Sequence, residues 1–172
     1  MPKQSTIRKA KKAKREGKAP STQAGEFVRE EIEDIRKGAH GARSTKQAIA
    51  IGLSKARRAG VKLPPPKNGE ASEQTVRSAL RDYRKGQSHE QEPVNPKRSR
   101  ATIRALQREG QEAASPAALA KQAKQQAAKR TKAERSAIAR KAAKTRLTHQ
   151  SPQKRKATAR KAARTRAARQ GK

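Results

Sequence analysis

The chain has no cysteine and no tryptophan, one phenylalanine (Phe27), one tyrosine (Tyr83), one methionine and only fourteen acidic residues among 172. Without cysteine there is neither a disulfide nor a thiolate metal site. The three histidines, His40, His89 and His149, are too widely spaced to form a ligand pattern, so no metal and no other cofactor is expected. No apolar run approaches the ~20 residues that span a bilayer, and the basic N-terminus lacks the apolar stretch of a secretory signal. These absences predict a cytoplasmic protein without a membrane partner. They also argue against an enzyme: there is no Gly-rich phosphate loop, no Ser/His/Asp constellation and no thiol nucleophile. Glu31 and Asp34 could pair on one helix face, but a chain with so little core has no cleft to desolvate them.

Positive charge is what the chain has in excess. Forty-six Lys and Arg give a net charge of +32 and an isoelectric point near 11.7, while apolar residues make up 31%. Low hydrophobicity with high net charge predicts extensive disorder, because little apolar area is buried against the conformational entropy of folding. The expected fold is mostly α with extensive disorder: a small helical hairpin plus basic, helix-prone arms, and no sizeable core. Four segments follow from composition: a basic arm at 1–21, the hairpin at 22–63, a linker with two weak helices at 64–112, and an Ala/Lys/Arg-rich tail at 113–172.

Five pieces close on the same Arg-X-Gly punctuation, at Gly17, Gly38, Gly60, Gly86 and Gly110. A glycine after the last helical residue suits the left-handed cap, and a cation before it suits the helix dipole. Ser5, Ser44, Ser72 and Ser99 stand where N-caps are wanted. Within the hairpin, 26–37 carries an apolar stripe of Val28, Ile32 and Ile35, and 45–59 carries Ile49, Leu53 and Ala56, widened by Ala48 and Ile51. A third helix over 72–85, with Val76, Ala79, Leu80 and Tyr83 on one face, could join them. The run Pro64-Pro65-Pro66 closes the hairpin as a polyproline II spacer, and Glu92-Pro93 to Pro96 reads as a second linker. Five of the fourteen acids, Glu26, Glu30, Glu31, Glu33 and Asp34, fall on helix 26–37. They read either as a solvated face or as a contact surface for a basic partner or for the chain's own tail.

Residues 113–172 hold nineteen Lys or Arg and one acid, Glu134. Arg140 to Arg146 (RKAAKTR) recurs twenty residues later as Arg160 to Arg166 (RKAARTR), and the match extends back through Arg135/Arg155, Ala137/Ala157 and Ala139/Ala159. Such a density of like charge calls for a polyanion, and nucleic acid is the expected partner. The tail is expected to be partly disordered when free. Phosphate-binding candidates are Arg135, Arg140, Lys141, Lys144 and Arg146, with Arg155, Arg160, Lys161, Arg164 and Arg166 as their repeat. Charge on every side of the helix and a lack of aromatics exclude base-edge reading and base stacking as the main mode. The reading is therefore a non-enzymatic, largely sequence-independent DNA-binding protein that neutralises phosphates. The alternatives are an RNA- or ribosome-associated basic protein, or an adaptor that binds a protein partner through the hairpin. Ser151-Pro152-Gln153-Lys154 resembles the Ser-Pro-X-Lys/Arg element of histone tails, and also suits a plain N-cap for a last helix.

The run from Arg43 to Gly60, RSTKQAIAIGLSKARRAG, resembles the core of a bacterial family of small uncharacterised proteins. That family reads approximately S-x-K-Q-A-I-A-I-A-L-S-E-A-R-K-A-G after a helix ending in Lys-Gly, and the likeness spans 26–63. The chain departs from it at Gly52, where Ala is usual and where glycine should cost about 1 kcal/mol of helix stability, and at Lys55, where an acid is common. The resemblance implies a bacterial source and no particular activity. In composition the tail is similar to the Lys/Ala-rich arms of histone-like nucleoid proteins, which would place the protein on the nucleoid.

Overall fold

The computed structural model describes residues 2–67, 69–88 and 95–170. Among them are eight α-helices: α1 (Gln4–Arg15), α2 (Pro20–Arg36), α3 (Thr45–Arg58), α4 (Glu73–Ser88), α5 (Pro96–Gln107), α6 (Pro116–Ala128), α7 (Lys132–His149) and α8 (Pro152–Gln170), with a 3-10 turn at Glu112–Ala114. Contacts divide the chain into two compact units, Met1–Ala123 and Lys124–Lys172. The mostly α expectation holds; the extensive disorder does not. Two causes are visible. The helices are individually capped, and the first unit finds packing partners well beyond the hairpin. His89 and the linker at Glu92-Pro93 lie outside the described residues, as does Asn68.

Three of the five Arg-X-Gly signals end helices as expected. Gly17, Gly38 and Gly60 have φ of 68°, 76° and 84°. In each case the next residue donates back across the cap, Lys18 to Ala13, Ala39 to Asp34 and Val61 to Ala56, at 2.9–3.1 Å. That is the Schellman pairing a left-handed glycine permits. Gly86 behaves differently: it lies inside α4, and a Cβ there would stand 1.8 Å from the Arg57 carbonyl oxygen. Its role is close approach between α4 and the end of α3. Gly110 also lacks the left-handed φ, and its carbonyl accepts from Ala42 N–H at 3.1 Å. Of the four serine caps, Ser44 and Ser72 accept from the backbone N–H of Gln47 (3.2 Å) and Thr75 (3.3 Å). Ser5 and Ser99 fall inside helices whose N-caps are Lys3 and Asn95.

Helices α2 and α3 form the antiparallel hairpin, but the seam differs from the expected one. On α3 the buried face is Ala48, Gly52 and Ala56, at i, i+4 and i+8, while Ile49, Ile51 and Leu53 are only half-buried. Small side chains let the backbones close: a Cβ on Gly52 would lie 2.7 Å from Val28 Cα. The apolar residues gather on either side of this crossing. Ile32, Ile35, Ala42 and Ala48 form one cluster with Ala113 and Ala114, and Val28 and Leu119 pack against it. Ala24, Phe27, Ala56 and Val61 form the other with Ala10 of α1, flanked by Ile7, Leu53 and Leu63. Fully burying Phe27 or Ile35 stabilises by about 1.5–3 kcal/mol each.

Further elements dock on this hairpin. Helix α1 lies on α2 through Thr6, Ala10 and Ala13. Helix α4 lies on α3 through Ala79, Gly86 and the buried Asp82, which accepts from Ser54 Oγ (2.5 Å) and Arg58 Nε (2.7 Å). The 3-10 turn closes the loop end of the hairpin, where Thr45 Oγ1 donates to Ala113 O (2.7 Å) and Arg36 Nε to Ala114 O (2.8 Å). Beyond Gly60 the chain is irregular, and the buried Arg57 donates to the carbonyls of Leu63 and Pro64 at 3.3 and 3.2 Å. Burial pushes the Arg57 guanidinium down from its usual range, and Asp82 opposes that shift.

Candidate nucleic-acid interface

The second unit is built on the duplicated tail, and the repeat coincides with the helix boundaries. Thr131 caps α7 and its counterpart twenty positions on, Ser151, caps α8. Thr131 Oγ1 accepts from Glu134 N–H at 3.2 Å and Ser151 Oγ from Lys154 N–H at 3.4 Å. Pro152 takes the first helical position, where its missing N–H costs nothing. Within the helices the copies match again: Thr145 Oγ1 donates to Lys141 O and Thr165 Oγ1 to Lys161 O, both at 3.0 Å. Each copy is thus one capped helix, and Ser151-Pro152 fits the plain N-cap reading.

The single acid of the tail has a local task. Glu134 Oε2 accepts from Thr131 N–H at 2.8 Å while the Thr131 hydroxyl serves the Glu134 N–H, a complete capping box. These hydrogen bonds from the Thr131 backbone and hydroxyl hold the Glu134 carboxyl below its usual range, and Arg130 adds to the effect. The sequence carries the signal for it, Thr-x-x-Glu before a helical run.

All ten candidate cations are exposed. Arg135, Arg140, Lys141, Lys144 and Arg146 lie on α7, and Arg155, Arg160, Lys161, Arg164 and Arg166 on α8. Among the described residues none of the ten forms an ion pair. At 100° per residue they point around the whole helix rather than along one stripe. Such a helix can place guanidinium and ammonium groups against phosphate oxygens from any side, and it offers no preferred face for reading a groove.

Most acids of the acidic helix are engaged within the first unit rather than solvated. Glu31 is fully buried, with Lys55 Nζ at 2.5 Å from one carboxylate oxygen and His40 Nε2 at 3.4 Å from the other. His40 Nδ1 lies 3.1 Å from Gly41 O. Glu30 is 5% exposed and accepts from Lys3 N–H at 2.8 Å, and Asp34 pairs with the Lys3 ammonium. Lys55 is therefore the cation that balances a buried acid. Glu26 meets Arg29 at 3.7 Å, and Glu33 alone of the five is exposed. The solvated face expected here is largely an internal clamp.

These features define a helical unit with a small-residue seam, joined to a second unit of uniformly basic capped helices. Residues 3–68, which include α1, α2 and α3, are similar to a family of unknown function, DUF6496. The similarity begins well before residue 26, where the sequence resemblance starts, so α1 falls within it. No curated protein and no solved structure matches the chain. Among the described residues no helix is long and apolar enough to cross a membrane, and no group of three His, Asp or Glu side chains is placed to hold a metal ion.

Proposed function

We propose that the protein is a non-enzymatic, largely sequence-independent DNA-binding protein, acting by phosphate neutralisation through α7 and α8. The observation that carries this reading is the exposure of ten cations on two duplicated, capped helices, with no carboxylate partner among the described residues. A helix pre-formed by caps and by Ala, Lys, Arg and Gln loses little conformational freedom on binding. The like-charge cost of pairs such as Arg140 with Lys144, a few tenths of a kcal/mol each, is relieved when phosphates approach. The compositional likeness of the tail to Lys/Ala-rich nucleoid arms supports this reading and, with it, a proposed location on a bacterial nucleoid.

The test is a competition series on the full chain with two unrelated DNA duplexes and one structured RNA. The reading expects equal affinity for the two duplexes and weaker competition by the RNA. A tenfold preference for one duplex, or for the RNA, would refute it.

A further inference from the structure

Helix α1 is basic, yet it is tied to the acidic helix α2 at its start, middle and end. At its start Glu30 accepts the Lys3 N–H, a carboxylate at the positive end of the helix dipole. The Lys3 ammonium pairs with Asp34, and that hydrogen bond keeps it above its usual range, with Glu30 and Glu33 adding smaller contributions. In its middle, Thr6, Ala10 and Ala13 are buried against α2. At its end Gly17 closes the cap, and Gln23 Nε2 donates to Lys18 O at 2.8 Å. The acids of α2 therefore fix one basic helix in place.

What this fixing presents is a face of one sign. At 100° per residue, Arg8, Lys11, Lys12 and Arg15 lie opposite the buried strip, within an arc of about 100°. Lys9 and Lys14 flank them, and all six are exposed along one shallow surface. Among the described residues none of the six forms an ion pair. Arg8 and Arg15 are separated by about 10 Å along the axis, the axial run of about three phosphates on one strand. No large apolar side chain stands fully exposed on α1, as insertion into a lipid surface would need.

We propose that the outward face of α1 is a second phosphate-binding site, fixed in geometry by the acidic clamp of α2, and that it docks on the backbone of duplex DNA. This rests on the DNA reading above but uses none of the residues of α7 and α8.

The experiment uses the full chain with Arg8, Lys11, Lys12 and Arg15 all changed to Gln, beside a tail variant with the ten α7 and α8 cations changed to Gln. Affinity for one duplex is measured across a salt series, with thermal melting as the check on fold. The proposal expects the α1 variant to melt as the parent does and to lose about two to three from the slope of log K against log salt. Restoring charge with Arg8→Lys and Arg15→Lys, the other two unchanged, should restore the slope. In the parent chain, DNA should shield Lys11 and Lys12 from amine acetylation more than the exposed Lys46. An unchanged slope in the α1 variant, with a reduced slope in the tail variant, overturns the proposal and leaves the DNA reading standing. No salt-dependent binding by the parent overturns both. Equal acetylation of Lys11, Lys12 and Lys46 overturns it independently of any variant; an α1 variant that no longer binds anionic vesicles bound by the parent, with its DNA binding intact, overturns it as well.

Discussion

Gly52 sits where the backbones of α2 and α3 come closest, and its stability effect depends on which of two terms is larger. Alanine would gain about 1 kcal/mol in helix propensity. Its Cβ would also press on the Val28 backbone at 2.7 Å, and overpacking a seam typically costs 1–3 kcal/mol. Gly52→Ala is therefore expected to lower the denaturant midpoint, although propensity alone says it should rise. The reverse argument applies to Lys55. Its ammonium offsets the fully buried Glu31, and removing one partner of a buried pair costs about 3–5 kcal/mol. Lys55 keeps 24% side-chain exposure, so Lys55→Met should cost about 3 kcal/mol or somewhat less by denaturant titration. Neither residue could be valued from the sequence. A glycine in a helix looks like a defect until a second backbone lies against it, and an acid on a polar helix looks solvated until its partners arrive from α1 and α3.

Most of the described helices carry a start or a stop signal of their own, and these are the features that local sequence reports best. Ser44, Ser72, Ser115 and Ser151 all accept from backbone N–H groups at helix starts. Gly17, Gly38 and Gly60 all close ends. Ser5 and Ser99 misled because Lys3 and Asn95 begin their helices earlier. The capping box of α7 has a pH signature. The Glu134 carboxyl is held below its usual range, so its contribution to α7 is complete above the unfolded value of about 4.3 and is lost as pH falls through the lower folded value. Far-ultraviolet circular dichroism should show parent and Glu134→Gln differing at neutral pH and converging at strongly acid pH. The duplication supplies a further element-scale expectation. Changing the five candidate cations of α7 to Gln, or the five of α8, should remove about the same share of the salt slope, about 4 each if every cation meets one phosphate.

At the scale of the molecule, the charge of +32 and the shortage of apolar residues led to an expectation of disorder that the structure does not bear out. The averages hide how the apolar residues are placed. Alanine and glycine line the close crossings, so Phe27 and a few isoleucines and valines are enough for two small clusters. Three acids of α2 tie its neighbours to it: Glu30 and Asp34 hold Lys3 at the start of α1, and Glu31 holds Lys55 of α3. The hairpin was legible because its two helices are neighbours in sequence. The return of residues 106–119 to its loop end was not, since those contacts run through backbone groups: Gly41 N–H to Leu106 O at 2.9 Å and Ala42 N–H to Gly110 O at 3.1 Å. The tail was legible in the opposite sense: its composition announced the chemistry and Ser151-Pro152 its last cap, while the Thr131–Glu134 capping box came from the structure.

The central claim, that α7 and α8 bind DNA through phosphates alone, is tested most directly by the salt dependence of affinity. Contact of α7 and α8 with about eight phosphates would by itself lower affinity about 10³–10⁵-fold between 50 and 200 mM salt. With the ten cations of α7 and α8 changed to Gln, the account predicts that most of this slope is lost, equally on unrelated duplexes. A variant that retains the slope of the parent chain would contradict it.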